Sequence, residues 1–200
     1  MRQIILASSS PRRKEILALT GLKFKTAPGP YREEKNLKLP PRQLAKYFSL
    51  NKAISVVKQE RYRKALVIGA DTIVVVGKEI LGKPGSIKEA RKMLRKISGR
   101  VHSVITAFTI IDKANNKVVT KSVETKVYVK RLSRKEIGNY VESKEPLDKA
   151  GAYAIQGRGS LFIKKIDGDY LNVVGLPLFS LVEELKKLGV FSYRKTRLSD

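Results

Sequence analysis

Cysteine is absent from the 200 residues, and histidine occurs once, as His102. The first absence excludes disulfides, thiolate catalysis and cysteine metal sites together. The second excludes multi-histidine metal sites. Any metal must then be held by oxygen ligands, which points to Mg2+ or Mn2+. His102, in "GRVHSVIT", is expected at a strand start in a plain surface role. No apolar run approaches the ~20 residues needed to cross a bilayer. The opening "MRQIILASSS" is too short, and too polar beyond Ala7, for a secretory signal. A soluble, cytoplasmic protein with no membrane partner is expected.

Acidic side chains are scarce as well: 18 against 42 lysines and arginines, a formal net charge of +24. Such a field attracts polyanions, whether nucleic acids, nucleotides or acidic membranes. The cations are spread along the chain and not gathered in one arm. A basic nucleic-acid-binding module without catalytic activity is therefore the rival reading. It needs a continuous basic face with interleaved aromatics. Most of the eight tyrosines and six phenylalanines fall instead within apolar patterns, so no specific nucleic acid is expected.

What the chain does have is 42% apolar residues, enough for one domain or two small lobes sharing a core. Residues 3–7 read as a buried strand, and "PRRKEILALTG" as a helix with Pro11 at its first position and Gly21 closing it. Residues 41–59 carry Leu44, Tyr47, Phe48, Ile54 and Val57 on one helical face, and 65–76 form a long apolar strand. Ser86 with Glu89, and Ser133 with Glu136, are capping boxes that open helices over 86–98 and 133–143. Residues 101–112 and 117–130, joined by "KANNK", predict a hairpin, and "SLFIKKIDGDYLNVV" predicts paired strands before a last helix over 176–189. Helices mixed with strands and hairpins define an α/β domain with a mixed sheet.

Three stretches carry chemistry. In "ASSSPRRKEIL", Arg12 and Arg13 stand at a helix N-terminus, where each cation costs roughly 0.3–1 kcal/mol. A strand, a serine-bearing loop and a helix start form a receptor for phosphate oxygens, with Ser8, Ser9 and Ser10 as hydroxyl donors and the guanidiniums as forks. The plainer alternative is that Ser10 caps the helix and both arginines face water. No P-loop signature is present. In "VIGADTIVVV", Asp71 and Thr72 interrupt an apolar run, and a buried carboxylate needs a cation, a metal or water; a bulge at a sheet edge is the alternative. In "EPLDKAGAYAIQGRGS", glycines allow close backbone approach, and Gln156 can donate and accept at once, as base recognition demands; an ordinary turn-rich connection is the alternative.

"ASSSPRRKEIL", "GADT", "GKP", "EPLDKAGAYAIQG" and "NVVGLPL" stand in an order and spacing that resemble the Maf family of nucleotide pyrophosphatases, from about residue 3 to 189. The resemblance implies an inosine-triphosphatase-like α/β fold: a long curved mixed sheet flanked by helices, two lobes and a central cleft. Residues 1–189 would then form one catalytic domain and 190–200 a basic C-terminal tail. It further implies hydrolysis of nucleoside triphosphates to monophosphate and pyrophosphate with a divalent metal, and a homodimer. Asp71 matches the catalytic proton acceptor. Arg12, Thr72 and Gln156 match positions that set base preference, and Arg13, Lys52 and Lys83 match basic positions near the phosphates. An acidic residue after the first helix, Glu33 or Glu34 here, belongs to the pattern; Glu33 with Asp71 is the metal-binding pair expected. "SPRR", "ADT" and "AIQG" are similar to the branch acting on dTTP and UTP, some of whose members accept modified pyrimidines.

Overall fold

The structure, a computed structural model, describes residues 2–34 and 37–192; the last part of the basic tail, 193–200, lies outside the described residues. In chain order the elements are β1 (Ile4–Ala7), α1 (Pro11–Ala18), β2 (Phe24–Thr26), α2 (Pro41–Val57), β3 (Leu66–Val76), β4 (Glu79–Leu81) and α3 (Ile87–Ile97). There follow β5 (Val101–Asp112), β6 (Lys117–Val129), α4 (Arg134–Glu142), β7 (Ile163–Asp167), α5 (Tyr170–Val174) and α6 (Leu178–Lys187). Among the described residues no helix is long and apolar enough to cross a membrane.

Helix starts follow side-chain chemistry. Ser10 Oγ accepts from Arg13 N, and Pro11 opens α1. Ser86 caps α3, and at α4 Ser133 and Glu136 form a complete capping box, a device worth about 1 kcal/mol. The Glu136 carboxyl, hydrogen-bonded to Lys130 and to the Ser133 amide, is held down at about 2. Residues 145–162, the glycine-rich stretch, form three short 3-10 turns.

One sheet runs in the order β2-β1-β3-β5-β6-β7, with β4 paired to β3. β1 is parallel to β2 and β3; the remaining pairs are antiparallel, so the sheet is mixed as expected. β1 follows β3 only as far as the pair Ala7 and Gly69, and β4 begins at Val74 and Leu81. Between them, Ala70 to Ile73 pair with β5 alone, leaving one edge of the central strand open for four residues.

Side chains alternate across β3. Leu66, Ile68 and Ala70 pack with residues of α1, α5 and α6, whereas Val74 and Val76 on the same face pack with α3 and α4. The two covers part at Thr72. On the opposite face, Val67 packs against Ala53 and Val56 of α2, and Ile73 and Val75 pack with Ala45.

Two expectations are corrected. "SLFIKKIDGDYLNVV" is not a strand pair: β7 joins β6, and the second half is the helix α5. The Asp169 carboxylate accepts from the amides of Leu171 and Asn172 and so starts that helix. His102 is not on the surface. It shares the inward face of β5 with Val104, is 2% exposed, and lies with Nε2 2.7 Å from the Tyr153 hydroxyl. Its Nδ1 is buried without a partner.

Burial pushes the His102 pKa down to about 4. The unfolded chain, with an ordinary histidine near 6.5, therefore takes up a proton that the folded chain refuses. His102 should cost nothing above about pH 6.5, and on the order of 3 kcal/mol of stability should be lost as the pH falls to about 4. Urea unfolding at pH 7 and pH 4 checks this; His102→Leu should flatten the difference relative to the parent chain.

Candidate functional site

Asp71 is 5% exposed and faces α2. The helix comes this close because residue 69 is glycine: a Cβ there would collide with the Ser49 carbonyl. Lys52, on the same part of α2, extends its ammonium to Asp71 Oδ1 at 2.5 Å and Glu33 Oε1 at 2.6 Å. Burial raises the Asp71 pKa, with Lys52 and then Arg13 pulling in the opposite direction. Glu34 turns elsewhere and accepts from the Tyr47 hydroxyl at 3.0 Å, so Glu33 is the member of the double glutamate that meets Lys52.

Thr72 faces the other side of the sheet. Its hydroxyl accepts from Arg13 Nη2 at 3.0 Å, while Arg13 Nε donates to the Gly175 carbonyl at 2.9 Å. Ser8 Oγ lies 3.5 Å from Arg13 Nη1 and accepts from Ser10 N at 3.2 Å. Burial lowers the Arg13 pKa, opposed by the Asp71 charge. One edge of the guanidinium is thereby fixed, and this cation is not the water-facing arginine of the plainer alternative. Arg12 beside it lines the cavity.

The two faces of β3 meet at its open edge. A cavity of about 420 Å3 there is lined by Ser10, Arg12, Arg13, Lys52, Asp71 and Thr72. Glu33, Lys83 and Gln156 complete its polar wall together with Asp148 and Lys149. A second space of about 580 Å3 shares Arg12, Arg13, Glu33, Lys52 and Lys83 and adds Ser8 and Ser9. Every site residue expected from the sequence thus borders one of these two adjoining spaces. Sequence reasoning missed Tyr153, which lines the first cavity, and Thr106, whose hydroxyl meets that of Thr72 behind the wall, as well as Asn172 beside Thr106 and Gly175 in the wall itself. The last two had a signal in "DYLNVVG", a capping aspartate and a closing glycine around one helical turn.

Two carboxylates converging on one ammonium also make a cradle for a hard divalent cation. Among the described residues no group of three or more His, Cys, Asp and Glu side chains encloses such an ion. Mg2+ suits this set, because it is commonly held by one or two carboxylates together with substrate phosphates and water.

Arginines at a helix start, a buried carboxylate matched by lysine and a gap in a mixed sheet define an α/β protein with a cleft lined by cations. The chain belongs to the Maf-like protein family, whose model matches residues 3–188. It is similar to the dTTP/UTP pyrophosphatase of Thermoanaerobacter sp. (strain X514), 48% identical over 92% of this chain and 96% of the relative. It is likewise similar to the proteins of that name from Methanosarcina barkeri, at 47% over 95% and 96%, and Dictyoglomus thermophilum, at 44% over 94% and 97%.

Breaking a buried ion pair strands the remaining charge, at a cost of about 3–5 kcal/mol when the pair is fully enclosed. Lys52 is partly open to water, so Lys52→Met should cost about 2–3 kcal/mol in urea unfolding. Adding Asp71→Asn should recover most of that loss.

Proposed function

We propose that this chain hydrolyses dTTP and UTP to the nucleoside monophosphate and pyrophosphate. The observation that carries the reading is the meeting of the Asp71 carboxylate with Arg12, Arg13, Lys52 and Lys83 around adjoining cavities. The relatives named dTTP/UTP pyrophosphatase, matched over nearly their whole length, support it. Residues 1–189 act as one two-lobed catalytic unit; of the tail expected over 190–200, Val190 and Phe191 pack onto the core beside α6, and 193–200 lie outside the described residues.

The triphosphate lies along the start of α1. Ser8, Ser10 and the amides there donate to its oxygens, and Arg12, Arg13, Lys52 and Lys83 neutralise its charge. Asp71 takes a proton from the attacking water. A carboxyl raised by burial holds that proton better than an exposed one. The water oxygen bonds to the α-phosphorus, the bond from that phosphorus to the bridging oxygen of the β-phosphate breaks, and pyrophosphate leaves among the cations. Asp71 and Glu33 would hold Mg2+ or Mn2+, which when bound withdraws charge from the phosphate oxygens. Fixed charges in a part-buried cleft need no reorganisation as charge develops, so electrostatic stabilisation supplies most of the acceleration. At the base end, Thr72, Gln156 and Arg12 set the preference; a site that takes both uracil and thymine reads their shared imide edge and leaves room for the methyl, which modified pyrimidines also exploit.

A panel of nucleoside triphosphates with Mg2+ or Mn2+, scored for pyrophosphate against orthophosphate, tests the assignment. UTP and dTTP should release pyrophosphate. Asp71→Asn should lower kcat by about 10^2–10^4-fold, the usual span for a lost general base, with nucleotide binding retained. Release of orthophosphate, or full activity in that variant, would refute the scheme.

A further inference from the structure

Behind Thr72 lies a row of polar groups that the scheme above leaves unused. Thr72 and Thr106 are register partners on β3 and β5, with their hydroxyl oxygens 2.9 Å apart. Thr106 Oγ1 lies 2.8 Å from the main-chain carbonyl of Asn172 in α5. The row thus begins at a guanidinium, which has only protons to give, and ends at a carbonyl, which has only lone pairs.

Those two ends leave one arrangement for the protons between them. Thr106 must donate to the Asn172 carbonyl, since otherwise two oxygen lone pairs would face each other at 2.8 Å. Its single proton is then spent, so Thr72 donates to Thr106 and accepts from Arg13 Nη2. Thr72 is left with no proton for the cavity and one free lone pair.

Asn172 is locked in turn. It is fully buried, its Nδ2 donates to the Val104 carbonyl and to Thr125 Oγ1, both at 3.0 Å, and its Oδ1 accepts from Thr106 N at 3.2 Å. Thr125 gives its own proton to the Asp169 carbonyl at 2.9 Å. Rotation of the Asn172 amide would break its contacts with Val104, Thr125 and Thr106.

We propose that Thr106 and Asn172 are positioning residues for base selection, fixing Thr72 as a hydrogen-bond acceptor towards the cavity. Such an acceptor suits a base that presents an N–H, as uracil and thymine do at N3. It opposes cytosine, whose N3 carries a lone pair. The inference rests on the dTTP/UTP reading and supplies the device that separates those nucleotides from CTP.

The test compares kcat/KM for UTP and CTP in the parent chain and in Thr106→Ser and Thr106→Val. Serine keeps the hydroxyl and should leave the UTP-to-CTP ratio within about twofold. Valine keeps the shape but removes the acceptor of the Thr72 proton, which can then swing towards the cavity. The ratio should fall at least about tenfold, the scale of one misplaced hydrogen bond. A residue with only a structural role would lower both substrates alike, and an unchanged ratio in a folded Thr106→Val overturns the proposal. Should that variant not fold, Thr72→Val removes the acceptor facing the cavity and must lower the ratio as well; an unchanged ratio there is equally fatal. If the parent chain hydrolyses neither UTP nor dTTP, the functional reading itself fails. If it hydrolyses UTP and CTP equally, that reading stands and this inference alone is lost.

Discussion

A carboxylate inside a sheet has to be matched by a cation, and much of this molecule is arranged around the match between Asp71 and Lys52. The ammonium can reach Asp71 only if α2 lies almost against β3, and Gly69 is what permits that approach. The same closeness brings Ala53 and Val56 onto Val67 and Ala45 onto Ile73 and Val75, so the apolar packing of this face and its buried carboxylate's ion pair depend on a single helix position. An unpaired buried charge costs several kcal/mol, a large fraction of the stability of any domain. The packing therefore cannot relax without exposing or stranding the charge.

The opposite face is organised by an interruption. Its apolar cover is split between α1, α5 and α6 on one side and α3 and α4 on the other, with Thr72 at the division. The division coincides with the stretch where β1 has ended and β4 has not begun. Successive residues, Asp71 and Thr72, point to opposite faces of the sheet and still border one cavity, because the strand edge between them is open. In the proposed reaction, phosphate chemistry and base reading thus fall to neighbouring residues on opposite faces of one strand.

Much of this was legible in the sequence wherever chemistry was local. Serine and proline at the start of α1, the capping box of α4 and the long apolar run of β3 all became the elements they suggested. At α3, Ser86 caps the helix while Glu89 accepts from the Gly85 amide, which leaves the second box incomplete. Asp71 stood out because a carboxylate in an apolar run has to be accounted for. The sequence was silent where the answer depended on partners distant along the chain. Nothing near His102 says that Tyr153 will meet it. Thr106 reads as one more β-branched strand residue until Asn172 is laid beside it. The choice between Glu33 and Glu34 was decided by Tyr47, which occupies one of them. In α5, the apolar residues suggest a strand although Asp169 supplies a helix start; a helix of five residues is too short to display its period.

The open edge of β3 has a consequence for how the molecule meets other molecules. Unpaired strand edges invite a second chain to add on, the usual route to sheet aggregation. Here the bare stretch runs only from Ala70 to Ile73, with β1 before it and β4 after it. Strands most often run to about five or six residues. The gap is therefore shorter than a strand of ordinary length, and β1 and β4 stand at its two ends, so a long strand of another chain cannot extend along it.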